Sequence, residues 1–144
     1  MSHENFVPRK LPVLAERSRE HRNSQLFYWK LKQGLGDGTN VTHLQNLTMA
    51  YWQDYMKPYL LRQEQILLPL ISSRSLAEQF KKDHCDINDL IISLSKSPTP
   101  YSFSILAAFI ANHIRFEEGW LFSYLEKALP EEQLKAIGDQ LDTY

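Results

Sequence analysis

At 144 residues the chain is the size of one domain with a single core. A formal net charge of -1, with Lys and Arg dispersed along the chain, argues against nucleic acid or an anionic membrane surface as a partner. Cys85 is the only cysteine and no leader-like apolar stretch opens the chain, so a disulfide framework is not expected and a reducing cytoplasm is the expected location. The longest apolar run, Ile105 to Ala111, falls far short of the roughly 20 residues needed to cross a bilayer, so no membrane partner is expected either.

The opening "MSHENFVPRKLP", residues 1–12, carries two prolines and little periodicity and reads as an extended tail, leaving 13–144 for the folded domain. Good helix formers run from Val13 to Gln33 and stop at "GLGDGT", a glycine-rich loop with no strand before it and no Lys-Ser/Thr pair after it, hence a turn rather than a phosphate cradle. A second helix is expected from Asn40 to about Ser72, capped by Thr39, Asn40 or Thr42 and bent or broken at Pro58. A third spans Leu76 to Lys96, after which "SPTP" ends it, and a fourth spans Tyr101 to Lys127. "LPEEQLKAIGDQL" adds a short helix from Pro130. No stretch has strand alternation. The expected fold is all-α: an up-and-down antiparallel four-helix bundle with a short C-terminal helix.

Helical spacing then sorts side chains by face. In the fourth helix Leu106, Ile110, His113, Glu117, Trp120 and Tyr124 form one stripe, and in the third Phe80, His84, Ile87 and Ile91 do the same. The first helix offers two stripes, one with His21, Gln25 and Tyr28 and a competing one with Leu26 and Trp29. In the second, Trp52, Met56, Tyr59, Gln63, Ile66 and Leu70 face inward. Buried ionisable groups are costly unless paired or bound to a metal. Each inward His, taken singly, reads as a hydrogen-bonded core residue. Together, imidazoles and a carboxylate converging from several helices make the pattern that metal coordination requires.

These residues resemble the bacterial hemerythrin-like, or HHE cation-binding, family over nearly the whole chain. "LAERSREHRNSQLFYWKLKQGL" looks like its first helix, "KKDHCDINDLI" its third, and "HIRFEEGWLF" is close to its His-x-x-x-Glu-Glu-x-x-Leu-Phe motif. "LPEEQLKAIGDQL" resembles its terminal helix. The resemblance implies a bundle around non-haem di-iron, with His21, His84, His113 and Glu117 as ligands.

The second helix departs from that pattern. Anchoring "YLLRQEQILLPLI" on Leu67-Leu68-Pro69 sets Tyr59 where the family has His and Gln63 where it has Glu. The loss of an imidazole and a bridging carboxylate weakens a two-metal site, since shared oxygens screen the repulsion between cations. A phenolate is itself a hard ligand for ferric iron, so Tyr59 is either a ligand or a core aromatic bonded to a neighbour such as His21 or Gln25. Gln63 either contributes a neutral carbonyl oxygen or stands, with Gln25, behind the ligands. Glu64 and Glu118 read as solvated or helix-paired surface charges, Cys85 as a packed thiol and His43 as a surface residue.

Two functions follow. One is a non-haem iron protein, with one or two ions held by His21, Tyr59, His84, His113 and Glu117, that binds or senses a small oxidant such as dioxygen, nitric oxide or peroxide. The alternative is a metal-free bundle acting as an interaction or structural protein, its inward polar residues joined in a network. Ferritin-like or hydrolytic di-metal chemistry lacks its Glu-x-x-His pairs.

Overall fold

The computed structural model describes residues 19–141, which are built of helices with no strand among the described residues. The tail expected over 1–12, and the first turns expected from Val13, lie outside the described residues. The first described helix, α1, covers Arg19–Gly36. Its end is fixed by the turn: Gly38 has φ 67, a left-handed conformation that costs glycine little, and the Thr39 N–H donates to Gly34 O at 2.9 Å.

Asn40 caps the next helix, its side-chain oxygen accepting from the Thr42 N–H at 2.7 Å. That helix, α2 (Val41–Tyr51), runs through a π-turn (Trp52–Met56) into α3 (Lys57–Ile66), and a 3-10 turn (Leu68–Leu70) follows. Pro58 explains where the widening falls. A proline ring collides with the carbonyl four residues back, here that of Asp54, and has no N–H to give it. The wider turn contains that carbonyl, and the Lys57 N–H reaches Trp52 O, five residues back. The segment is thus neither broken nor ended at Pro58.

Ser73 caps α4 (Arg74–Lys96), accepting from the Leu76 N–H at 3.4 Å, and Thr99 caps α5 (Pro100–Phe116), accepting from the Ser102 N–H at 3.1 Å. A second π-turn (Glu117–Leu121) continues α5 into α6 (Phe122–Ala128), and α7 (Glu131–Leu141) closes the described chain. α1 packs on α5, α5 on α4, α4 on α2, and α2 on α1, while α7 packs on α3 and α6. Arg62 Nε donates to Leu141 O at 2.7 Å and ties α7 to α3.

The two π-turns decide which residues reach the core. Thr48, Trp52, Met56 and Leu60 are all buried at steps of four, as are His113, Glu117, Leu121 and Leu125. At about 100° per residue such a series drifts about 40° at each step of a plain α-helix. The wider turns absorb the drift. The expected stripe is therefore corrected beyond Glu117: Trp120 is 66% exposed, and Leu121 and Leu125 are buried in its place. In α1 the stripe with His21 faces the core, leaving Leu26 and Trp29 exposed, and Phe80, His84, Ile87 and Ile91 of α4 are buried as expected. Cys85 is exposed rather than packed. No described helix is long and apolar enough to cross a membrane.

Candidate metal centre

Glu117 is the hub. Its side chain is completely buried, on the first residue of the second π-turn. Tyr59 and Gln63, one turn apart on α3, both reach its Oε2: the Tyr59 hydroxyl donates at 2.9 Å and Gln63 Nε2 donates at 2.8 Å. Gln63 Nε2 also lies 2.8 Å from the Tyr59 hydroxyl. His21 Nδ1 of α1 approaches the same oxygen to 3.6 Å. The other oxygen, Oε1, faces His113 Nε2 at 3.4 Å, yet neither atom makes a hydrogen bond. A buried polar pair left in this state is uncommon and asks for an explanation.

Each histidine is also held from its far side by an acid. His84 Nδ1 lies 2.9 Å from Glu64 Oε1, His113 Nδ1 lies 3.4 Å from Asp83 Oδ2, and His21 Nε2 lies 3.1 Å from Glu118 Oε1. Gln25 Nε2 donates to the same Glu118 oxygen at 3.2 Å. His84 Nε2 faces inward, 3.2 Å from Gln63 Oε1. The orientation of that amide follows from its neighbours: a carboxylate only accepts, so the NH₂ of Gln63 must point at Glu117 and its carbonyl at His84.

Electrostatics follow the geometry. Burial works to lower the pKa of His21, but the hydrogen bonds and charges of Glu117 and Glu118 outweigh it and raise the group from 6.5 to about 9. Burial works to raise that of Glu117, and the pull of His113, with the hydrogen bonds of His21 and Tyr59, brings it down to about 2. His84 is lowered, first by burial and then by His113, against the pull of Glu64. At neutral pH the centre therefore contains a carboxylate beside a His21 imidazolium.

His21, Gln25, Tyr59, Gln63, His84, His113 and Glu117 all reach this cluster, although Gln25 meets Glu118 rather than Tyr59 or Glu117. His43 is exposed and stands apart. Tyr59 enters as a hydrogen-bond donor to Glu117. The outer acids do more than a solvated or helix-paired charge would: Glu64, still 42% exposed, and Glu118 each pair with a buried histidine on another helix. Asp83 was not anticipated at all. Glu118 turns inward because the π-turn delays the rotation that would carry it aside, and the steps of four from His113 to Leu125 are the sequence signal for it. Glu64 and Asp83 pair across helices, and no spacing within one helix encodes that.

The donor types suit one hard or borderline cation. Inward imidazole nitrogens of His84 and His113, the unbonded Glu117 Oε1 and the Gln63 carbonyl are the ligands such an ion takes. A second ion has fewer donors, because Glu117 Oε2 is already occupied by Tyr59 and Gln63. Among the described residues no group of three or more His, Cys, Asp or Glu side chains is drawn together tightly enough to hold a metal ion. Comparison with family models, curated proteins and solved structures gives no match. The hemerythrin-like reading therefore rests on this chain's own residues.

Proposed function

We propose that this chain is a hemerythrin-like protein: an up-and-down antiparallel four-helix bundle with a short C-terminal helix, holding non-haem iron and binding or sensing a small oxidant such as dioxygen, nitric oxide or peroxide. The circuit of contacts from α1 to α5, α4, α2 and back to α1 supports the architecture. One observation carries the function: His113 Nε2 and Glu117 Oε1 are buried, face each other at 3.4 Å and make no hydrogen bond. Leaving two such groups unsatisfied costs about 1–3 kcal/mol each, and a cation between them removes that cost.

His84, His113 and Glu117 would hold one ion, with Gln63 Oε1 beside them. Iron there would supply a redox-active Lewis acid. The protein's own share is positional. Tyr59 and Gln63 fix Oε2, which leaves Oε1 as the oxygen turned to His113. His21, as imidazolium, balances the charge of Glu117 from the other side. His21 and Tyr59 thus support one ion as charge partner and donor, and become ligands only if a second ion is bound.

The test is metal analysis of protein purified from iron-supplemented cells, together with its melting temperature with and without added ferrous iron. About one equivalent of iron and a raised melting temperature are expected, because a ligand that binds only the folded state stabilises it. Less than about a tenth of an equivalent, with an unchanged melting temperature, sinks the proposal.

A second reading has its own observation. Glu117 already has a cationic partner in His21 and two donors on Oε2, so a metal-free polar network acting as a structural or interaction core is self-consistent. It requires the negative outcome of the same experiment.

A further inference from the structure

Asp83 is exposed enough to line a groove of about 710 Å³ between α4 and α5, whose wall also includes Lys82, Asn112, Phe116 and Trp120. It is also the residue that meets His113 from outside, Oδ2 to Nδ1 at 3.4 Å. Its side chain is 16% exposed, and that of His113 is 7% exposed. From this bridging place we propose that Asp83 is a positioning residue: it takes the Nδ1 hydrogen of His113, so that Nε2 is the nitrogen left with its lone pair toward Glu117.

An imidazole with one hydrogen must choose between its two nitrogens, and the partner of one decides what the other offers. His113 has a carboxylate oxygen at 3.4 Å on each side, Asp83 Oδ2 at Nδ1 and Glu117 Oε1 at Nε2. The two contacts differ in quality. The one to Asp83 has hydrogen-bond geometry, and the one to Glu117, four residues along the same helix, does not. The hydrogen therefore belongs on Nδ1. His84 differs, because it faces an acceptor on each side, Glu64 Oε1 at its Nδ1 and the Gln63 carbonyl at its Nε2. For His113 an acid reached from another helix selects the lone pair on the opposite nitrogen.

The inference deepens the metal-binding reading above, and its primary readout needs no metal. The tautomer of His113 is read by proton–nitrogen correlation NMR on the metal-free full chain at about pH 8, above the ordinary imidazole range. The wild type is expected to show hydrogen on Nδ1. Asp83→Ala should move it to Nε2, and Asp83→Asn, whose amide oxygen still accepts, should restore Nδ1. Ferrous iron, titrated into the same samples, should bind Asp83→Ala about 10–100-fold more weakly, with Asp83→Asn between the two.

A His113 resonance unchanged in Asp83→Ala overturns the inference, as does a wild type with hydrogen on Nε2 or on both nitrogens. A tautomer that moves as described in a protein that takes no iron keeps the role of Asp83 and removes the iron. Iron bound by a chain whose tautomer ignores Asp83 does the reverse. A purely structural Asp83 would change the melting temperature and leave the tautomer alone.

Discussion

The pairing of His21 with Glu117 makes stability depend on pH in a direction fixed by the structure. The folded-state pKa of His21 is raised from 6.5 to about 9, so its contribution is fully present below 6.5 and is lost as pH rises toward 9. That shift corresponds to about 3 kcal/mol. It is a large fraction of the roughly 5–15 kcal/mol by which a domain is stable. Glu117 behaves oppositely: lowered from 4.5 to about 2, its contribution is present above 4.5 and is lost as pH falls toward 2. Because both describe the same buried contact, the two contributions are not added. Urea unfolding followed by helical circular dichroism should therefore show a decline of about 3 kcal/mol from pH 6.5 to pH 9, and a separate fall below pH 6.5 as the unfolded state takes up the proton that buried His84 resists. In Glu117→Gln, which keeps the shape and removes the charge, the alkaline decline should shrink to the part supplied by Glu118, whose side chain is 24% exposed. A wild-type profile flat from 6.5 to 9, or one that survives Glu117→Gln unchanged, refutes the reasoning.

Two glycines should respond in opposite directions to the same change. Gly119→Ala places its methyl in open space on a helical segment and should raise stability by about 0.5–1 kcal/mol, whereas the Cβ of Gly34→Ala would lie 2.8 Å from Leu44 Cδ2 and should lower it by about 1–3 kcal/mol; thermal melts of both decide. Arg62→Ala removes the contact to Leu141 O, so hydrogen exchange should accelerate in α7 and leave α4 and α5 as they were; uniform acceleration would mean that α7 is not a separable unit.

Sequence patterning indicated much of the centre, because its key residues lie on helical faces. His84 sits on a stripe with Phe80, Ile87 and Ile91, and Tyr59 and Gln63 stand one turn apart, so plain α-helical spacing sufficed for them. It failed where the helix itself changed. Trp120 was assigned inward by counting turns of constant width, and the π-turn at Glu117 moved Leu121 into that place. The outer acids were illegible for another reason. Whether Glu64 or Asp83 is solvated depends on what the neighbouring helix presents at the same height, and that is a property of the assembled fold. Pro58 was readable as a disturbance, but its form, a widened turn rather than a break, depended on where the Asp54 carbonyl could go.

The π-turn at Glu117 also sets the phase of everything beyond it. If the turn tightened to a plain α-helix with no residue removed, side chains downstream would advance by about 100° relative to those upstream. Such a shift cannot be gradual, because Leu121, Phe122 and Leu125 are fully buried and would all have to leave their places together. The segment is therefore indexed rather than sliding: Glu117 and Glu118 keep separate duties, one toward His113 and the other toward His21, because the helix carrying them has only one position in which it can lock.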